Sequence, residues 1–316
     1  MKLFSRLCLC CLSILHAVHV DVLAAPGPVP DSGSVAIQLD GKTVGYYQSK
    51  PMENPLGGDK FGGSNFIHPL KTLSGFVISD FQPSDHKHHF GLWWPWKYVQ
   101  LGERKILFWE LQNGDGIVQS TGITETEDGF IATADYLDRK HPNGPTVILE
   151  ETTLIETSVS KDAPAFGYFL NMEVTHRVVG EEALTATVYR YSGYSIRATS
   201  AWHRDNSVIL TSEGAERYTA NGSQARWVLS QGDTDTGGKA GFLMMAHSKN
   251  RNFPEKIRTW DKWHNGAVFV NFNPVMEKPW VFEPGEEYTR RYSLFIFDGE
   301  LTIEEAEEIW NQYTQK

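Results

Sequence analysis

FLNMEVTHR, residues 169–177, alternates with a period of two. Leu170, Met172, Val174 and His176 fall on one side of an extended chain, and Asn171, Glu173, Thr175 and Arg177 fall on the other. One side is largely apolar and the other polar, so the segment reads as a strand with one face on a core and one toward water. Similar runs recur on both sides of it. Upstream, strands are expected at 35–39, 43–47, 105–111, 116–126, 130–137 and 147–158. Downstream they are expected at 184–191, 194–198, 208–211, 225–229, 241–246, 267–271 and 288–297. Asp40-Gly41, between the first two, is a hairpin signal because both residues tolerate positive φ.

Only the last element reads as a helix. Thr302 and Glu305 form a capping box, and Ile303, Ala306, Trp310 and Tyr313 recur at three- and four-residue steps. Many short antiparallel strands and one closing helix define an all-β protein. The strands are too numerous for an immunoglobulin-sized sandwich, so a large antiparallel double-sheet sandwich is expected, with the helix at its C-terminus. Residues 35–316 show no internal boundary and are expected to form a single domain.

Ahead of that domain, Lys2 and Arg6 precede an apolar run that ends in Val22-Leu23-Ala24-Ala25. This pattern predicts a cleaved signal peptide over 1–25, a proline-rich linker over 26–34 (PGPVPDSGS), and a secreted or periplasmic protein. Cys8, Cys10 and Cys11 all lie in the leader, so the mature chain would contain no disulfide, thiol nucleophile or thiolate metal site. Loss of Lys2, Arg6 and Asp21 moves the net charge from −10 to −11. An acidic chain argues against nucleic acid and anionic lipid as partners. No stretch after the leader is long and apolar enough to span a membrane as a helix.

The chemistry is concentrated in residues 66–98, FIHPLKTLSGFVISDFQPSDHKHHFGLWWPWKY. His68, His86, His88, His89, Trp93, Trp94 and Trp96 all fall there. Imidazoles transfer protons and bind metals near neutral pH, while indoles present flat faces that hold a sugar ring. In an extended chain His86 and His88 face one way and His89 the other, so a shared site needs a bend, for which Pro83-Ser84 is suited. Asp85 is placed to orient one imidazole. Proton transfer to a bound substrate, metal ligation by His-x-His with a further ligand, and a structural polar network are three competing readings. His68 is the distant candidate member. Arg226 and His247 are candidates for holding hydroxyls or stabilising negative charge. His203 and His264, beside Trp202 and Trp263, read as surface residues. A phosphate loop, a Gly-x-Ser-x-Gly elbow and a His-Glu-x-x-His helix are absent from the sequence.

HPLKTLSG, SDHKHHFGLWW, ARWVLSQG, the run 240–254 and PGEEYTRRYSLFIFDG together resemble the PmoA-like family, from about His68 to Gly299. The pair His88-His89 is its most specific element, and Phe90 stands where members usually carry an arginine. The resemblance implies a β-rich fold similar to the supersandwich of sugar mutarotases, in proteins exported by glycan-degrading bacteria. The methane oxygenase in the family's label would need several apolar membrane spans, which this chain lacks after its leader.

Two functions are then in contention. One is a secreted carbohydrate-active enzyme (hydrolase, lyase or epimerase) acting on a carbohydrate or small-molecule substrate. His88 or His89 would move the proton, with Asp85 orienting it and His86 and His68 as further catalytic candidates; Trp93 or Trp94 would stack on the ring, and Arg226 and His247 would bind it. The other is a non-catalytic glycan-binding or structural module. Neither requires a cofactor, and both leave room for a divalent metal.

Overall fold

The strand Phe166–Val178 lies inside an eight-stranded antiparallel sheet, paired with Glu287–Asp298 on one side and Thr146–Ser158 on the other. Its expected alternation is present. Leu170, Met172 and Val174 are buried, and Asn171, Glu173 and Thr175 are half-buried on the opposite face. The computed structural model describes residues 31–53, 57–159 and 164–315. The expected leader, with all three cysteines, and residues 26–30 of the expected linker lie outside the described residues.

A second eight-stranded sheet runs, in spatial order, Ser34–Leu39, Lys42–Gln48, Phe66–Leu70, Leu92–Trp93, Ser195–Arg197, Phe269–Phe272, Glu255–Thr259 and Gln224–Ala225. A smaller four-stranded sheet joins Trp280–Phe282, Leu184–Ala186, Tyr98–Leu101 and Arg104–Leu107. The protein is all-β, with three antiparallel sheets and a C-terminal helix. The two large sheets share one apolar core, to which Tyr47, Ile67, Leu92, Ile196 and Val270 contribute from one sheet and Leu170, Met172, Met244 and Leu294 from the other. The sheet containing Phe166–Val178 is covered on its other face too, where Trp227, Leu243 and Phe295 pack against Ala306, Ile309 and Tyr313 of the helix Ile303–Thr314. The expected capping box is formed in both directions, Thr302 Oγ1 accepting from Glu305 N and Glu305 Oε2 from Thr302 N. Ile303 is 46% exposed, however, and Ile309 takes its place in the buried stripe.

The expected hairpin turn is present, with Asp40 at φ 47° and Gly41 at φ 77°. Other expectations need correction. The 225–229 run is two elements: Gln224–Ala225 pairs in one large sheet and Trp227–Asp233 in the other, so the chain changes sheets at Arg226. Only Leu184–Ala186 of 184–191 is strand, which leaves Arg190 and Tyr191 in a connecting loop.

Trp94 is fully buried in the core, where its Nε1–H donates to Glu151 Oε1 at 2.6 Å. It is therefore unavailable as a stacking face for a ligand. Glu151 also accepts from Asn65, Tyr136, Thr153 and the ring of His176, which lies 3.0 Å away. Burial alone would raise the Glu151 carboxyl, but hydrogen bonds from His176, Asn65 and Trp94 outweigh it and hold the group below its ordinary value. Burial depresses His176 more than Glu151 restores it, so a neutral imidazole donates to a carboxylate. Breaking a buried charge network costs about 3–5 kcal/mol, because the remaining partners lose their counterpart. Glu151→Ala is accordingly expected to lower unfolding free energy by about 3–5 kcal/mol in urea at pH 7. A loss below about 1 kcal/mol would contradict this account of the core.

Candidate functional site

Residues 82–89 leave the extended path between Phe81 and Phe90, which form an isolated antiparallel bridge. Two consecutive turns fill the gap: Pro83 O accepts from His86 N and His86 O from His89 N, both at 3.0 Å. Gln82 N then donates to His89 O at 2.8 Å and closes the loop. Pro83 opens the first turn, with Ser84 and Asp85 at its centre. As a result His86, His88 and His89 come to one side, with ring centroids 4.7–5.3 Å apart. One ring nitrogen from each lies within 4.8 Å of the others.

The loop is fastened to the sheet by Arg197, in the strand Ser195–Arg197. Its guanidinium donates to both oxygens of Asp85, at 3.1 and 2.9 Å, and only 3% of its side chain is exposed. The indole of Trp260 covers this guanidinium at 4.9 Å and packs against His86 at 4.7 Å. His86 Nδ1 and His264 Nδ1 approach Asp85 Oδ2 at 3.4 and 3.6 Å. Burial would raise the Asp85 carboxyl, but the contact with His86 and the charge of Arg197 outweigh it and hold the group well below the usual carboxylate range.

The three imidazoles form one wall of a cavity of about 130 Å³, completed by Arg190, Tyr191, Arg258, Trp260, Trp263 and Phe269. Trp263, which is 61% exposed, lines this cavity. The Tyr191 hydroxyl donates to Glu110 Oε1 at 2.8 Å, and Glu110 also pairs with Lys97. Burial pushes His88 down to about 4 and His89 well below its ordinary value. Both imidazoles are therefore neutral at pH 7, poor proton donors but good lone-pair donors. His89 is 3% exposed and its Nδ1 has no hydrogen-bond partner among the described residues. The three residues offer a donor set of the kind that holds a divalent ion, and their nitrogens would have to draw together by more than about an ångström to share one.

The other expected site residues lie elsewhere. His68 accepts or donates at Ser79 Oγ, 2.9 Å away, and stacks on Phe81, without joining the imidazole cluster. Trp93 is 2% exposed and packs behind His89 at 5.0 Å, supporting the ring rather than offering a face to a ligand. Arg226 is clamped between Glu213 and Glu307 over the ring of Trp310, where it ties the helix to the sheet. His247 accepts from Lys249 N and borders a separate depression with Glu173, Arg291 and Tyr313. Phe90, in place of an arginine, packs on Phe66 and Phe81 below the histidine loop. Sequence reasoning missed Arg190, Arg197, Arg258, Trp260 and the placement of His264 beside Asp85. The run RTWDKWH at 258–264 carried a signal for four of the pocket's neighbours, a density of cations and aromatics comparable to that of the histidine stretch.

Fold and pocket define an antiparallel β protein with an imidazole-lined cleft beside the strands Ser195–Arg197, Phe269–Phe272 and Glu255–Thr259 of one large sheet. The chain belongs to DUF6807, a family of unknown function, whose model matches residues 34–311. No curated protein matches it in sequence. Among solved structures it is similar to a polysaccharide lyase, with 12% identity and a TM-score of 0.37 over 79% of this chain and 33% of that one. It is similar also to the GH36 alpha-galactosidase AgaB from Geobacillus stearothermophilus, with 11% identity, a TM-score of 0.41, and 90% and 42% covered. A GalM/aldose epimerase homologue from C. elegans matches at 8% identity and a TM-score of 0.38, with 85% and 99% covered. The chain thus spans less than half of the lyase and the galactosidase, and likenesses this loose carry no argument about activity.

The histidines make stability depend on pH. Between about pH 6.5 and pH 4 an unfolded histidine binds a proton. His88 and His68 take theirs only near 4 in the folded chain, and His89 lower still. The unfolded state then holds more protons, so stability rises with pH across this window. Below it, the depressed Asp85 adds a further loss as it protonates. Urea midpoints measured in chelator are expected to fall steadily from pH 7 to pH 4, with a shallower slope in His88→Gln/His89→Gln. Equal slopes in the two proteins would contradict the burial account.

Proposed function

We propose that this protein is a secreted carbohydrate-active enzyme in which His86, His88 and His89 hold one divalent metal ion beside a sugar stacked on Trp263. The observation that carries the reading is the convergence of three ring nitrogens within 4.8 Å in a cavity also walled by indoles. Burial supports ligation over proton donation, because His88 and His89 carry no proton to give near neutral pH. Such an ion would supply Lewis acidity that polarises a sugar oxygen. Asp85 steadies His86, Arg197 and Trp260 hold Asp85 and the loop in place, and Trp263 offers a sugar face a flat apolar surface. The reaction class that follows is hydrolysis, elimination or epimerisation next to the polarised oxygen. The small cavity, about 130 Å³, suits one ring or chain end rather than an enclosed polymer. The likeness to the PmoA-like family and the leader over 1–25 support export and a glycan substrate.

The test is turnover of a panel of glycosides, oxidised glycosides and uronides by the mature chain, with and without chelator. His88→Ala and His89→Ala are expected to lower turnover by more than about a hundredfold, as does chelation. Turnover that survives both substitutions would contradict the assignment. Saturable glycan binding without turnover of any substrate would instead assign a binding module.

A further inference from the structure

The cations around the pocket fall into two groups. Arg197 is neutralised by Asp85, and Lys97 by Glu110. Arg190 and Arg258 line the same cavity, and neither forms an ion pair among the described residues. Arg258, in the strand Glu255–Thr259, donates from one terminal nitrogen to Asn221 at 2.9 Å, while its buried Nε–H has no acceptor. Arg190, which is exposed, lies over Tyr189 and Tyr191, at 5.9 and 5.7 Å, and its guanidinium has no hydrogen-bond acceptor among the described residues. Burial and then the charge of Arg190 depress Arg258, and Asp261 and Tyr191 each offset this by less. Two like charges beside one cavity, with the buried Arg258 Nε–H left open, are an unfavourable arrangement that a bound anion relieves. They stand out on a chain whose net charge is −10.

We propose that Arg190 and Arg258 form a carboxylate-recognition site, so that the sugar taken by this pocket is an acidic one, a uronate or another ring bearing a carboxylate. This rests on the pocket being a sugar site. The planar guanidinium fork matches a carboxylate and gives two directed hydrogen bonds, which a neutral hydroxymethyl group at the same position does not receive as strongly. The acidic group faces the arginines, the ring lies along Trp263, and the carbon next to the carboxylate sits between them and the histidine wall. Recognition by shape and charge therefore comes from residues in the loop 187–194 and the strand Glu255–Thr259, separate from the histidine loop.

Calorimetric titration of the full mature chain tests this with methyl glucuronides and galacturonides, their neutral glucoside and galactoside counterparts, and glucose 6-sulfate. The wild type is expected to bind at least one uronide tenfold or more tightly than its neutral counterpart, and more tightly than the sulfate. Arg190→Gln and Arg258→Gln are expected to remove most of that preference by weakening uronide binding about tenfold more than neutral-sugar binding, and Arg258→Lys to retain part of it. Equal affinity for charged and neutral sugars would overturn the inference and leave the sugar pocket standing. Preference for the sulfate over every uronide would overturn the carboxylate assignment. Binding of none of these sugars would overturn both the inference and the pocket's proposed function. Circular dichroism of each variant separates loss of the site from loss of fold.

Discussion

The ion pair between Asp85 and Arg197 is the contact on which the site depends. It joins a tight turn to a central strand of a large sheet, and both members are largely withdrawn from water. Arg197 is further held by its own backbone, which donates to Gly91 O and accepts from Asp80 N on either side of the turn. Residues 82–89, which carry three imidazoles, would otherwise have little apolar surface with which to anchor themselves. With Asp85 fixed, His86 lies against Trp260, His89 packs on Trp93 and Phe269, and His88 completes the cluster. The aromatic layer beneath the turn thus sets the ring positions and lowers the dielectric around them. That environment keeps His88 and His89 unprotonated, a state suited to binding a cation.

The same fold holds a second buried acid–imidazole pair with a different consequence. Glu151 and His176 lie deep in the core, where the carboxylate is satisfied by Trp94, Asn65 and Thr153 as well as by the ring. Both carboxylate oxygens have donors, and the pair holds the interior together. His176 Nδ1, like His89 Nδ1, has no hydrogen-bond partner among the described residues, so an open ring nitrogen does not by itself mark a functional histidine. The histidine turn differs in gathering three imidazoles beside a cavity that Arg190, Arg258 and Trp263 also line.

Much of the architecture could be read from the sequence because long strands display their period. Residues 169–177 show it in full, and so does the capping box at Thr302 and Glu305. Leu92–Trp93 is too short to establish alternation, and Glu255–Thr259 (EKIRT) is charged at three of its five positions, so neither was legible. In the site, the density of histidines pointed to 85–89, and Pro83 to the bend that gathers them. Arg197, Arg258 and His264 lie more than a hundred positions away in the chain, and only strand pairing across the sheet brings them to the turn. Arg226 was singled out beside Trp227 on an expected strand and His247 at a strand end, and the sheet places them on other surfaces. Trp94 shows the same limit, because an indole beside histidines in sequence is here turned into the core.

The central claim is that the three imidazoles of one turn bind a single metal ion. Elemental analysis of the mature chain, purified without a histidine tag and reloaded with zinc after chelation, measures this most directly when wild type is compared with His89→Gln. One ion per chain in the wild type and none retained by a folded His89→Gln is the predicted result. A folded wild type that retains no ion after reloading, or equal retention by the two proteins, would contradict it.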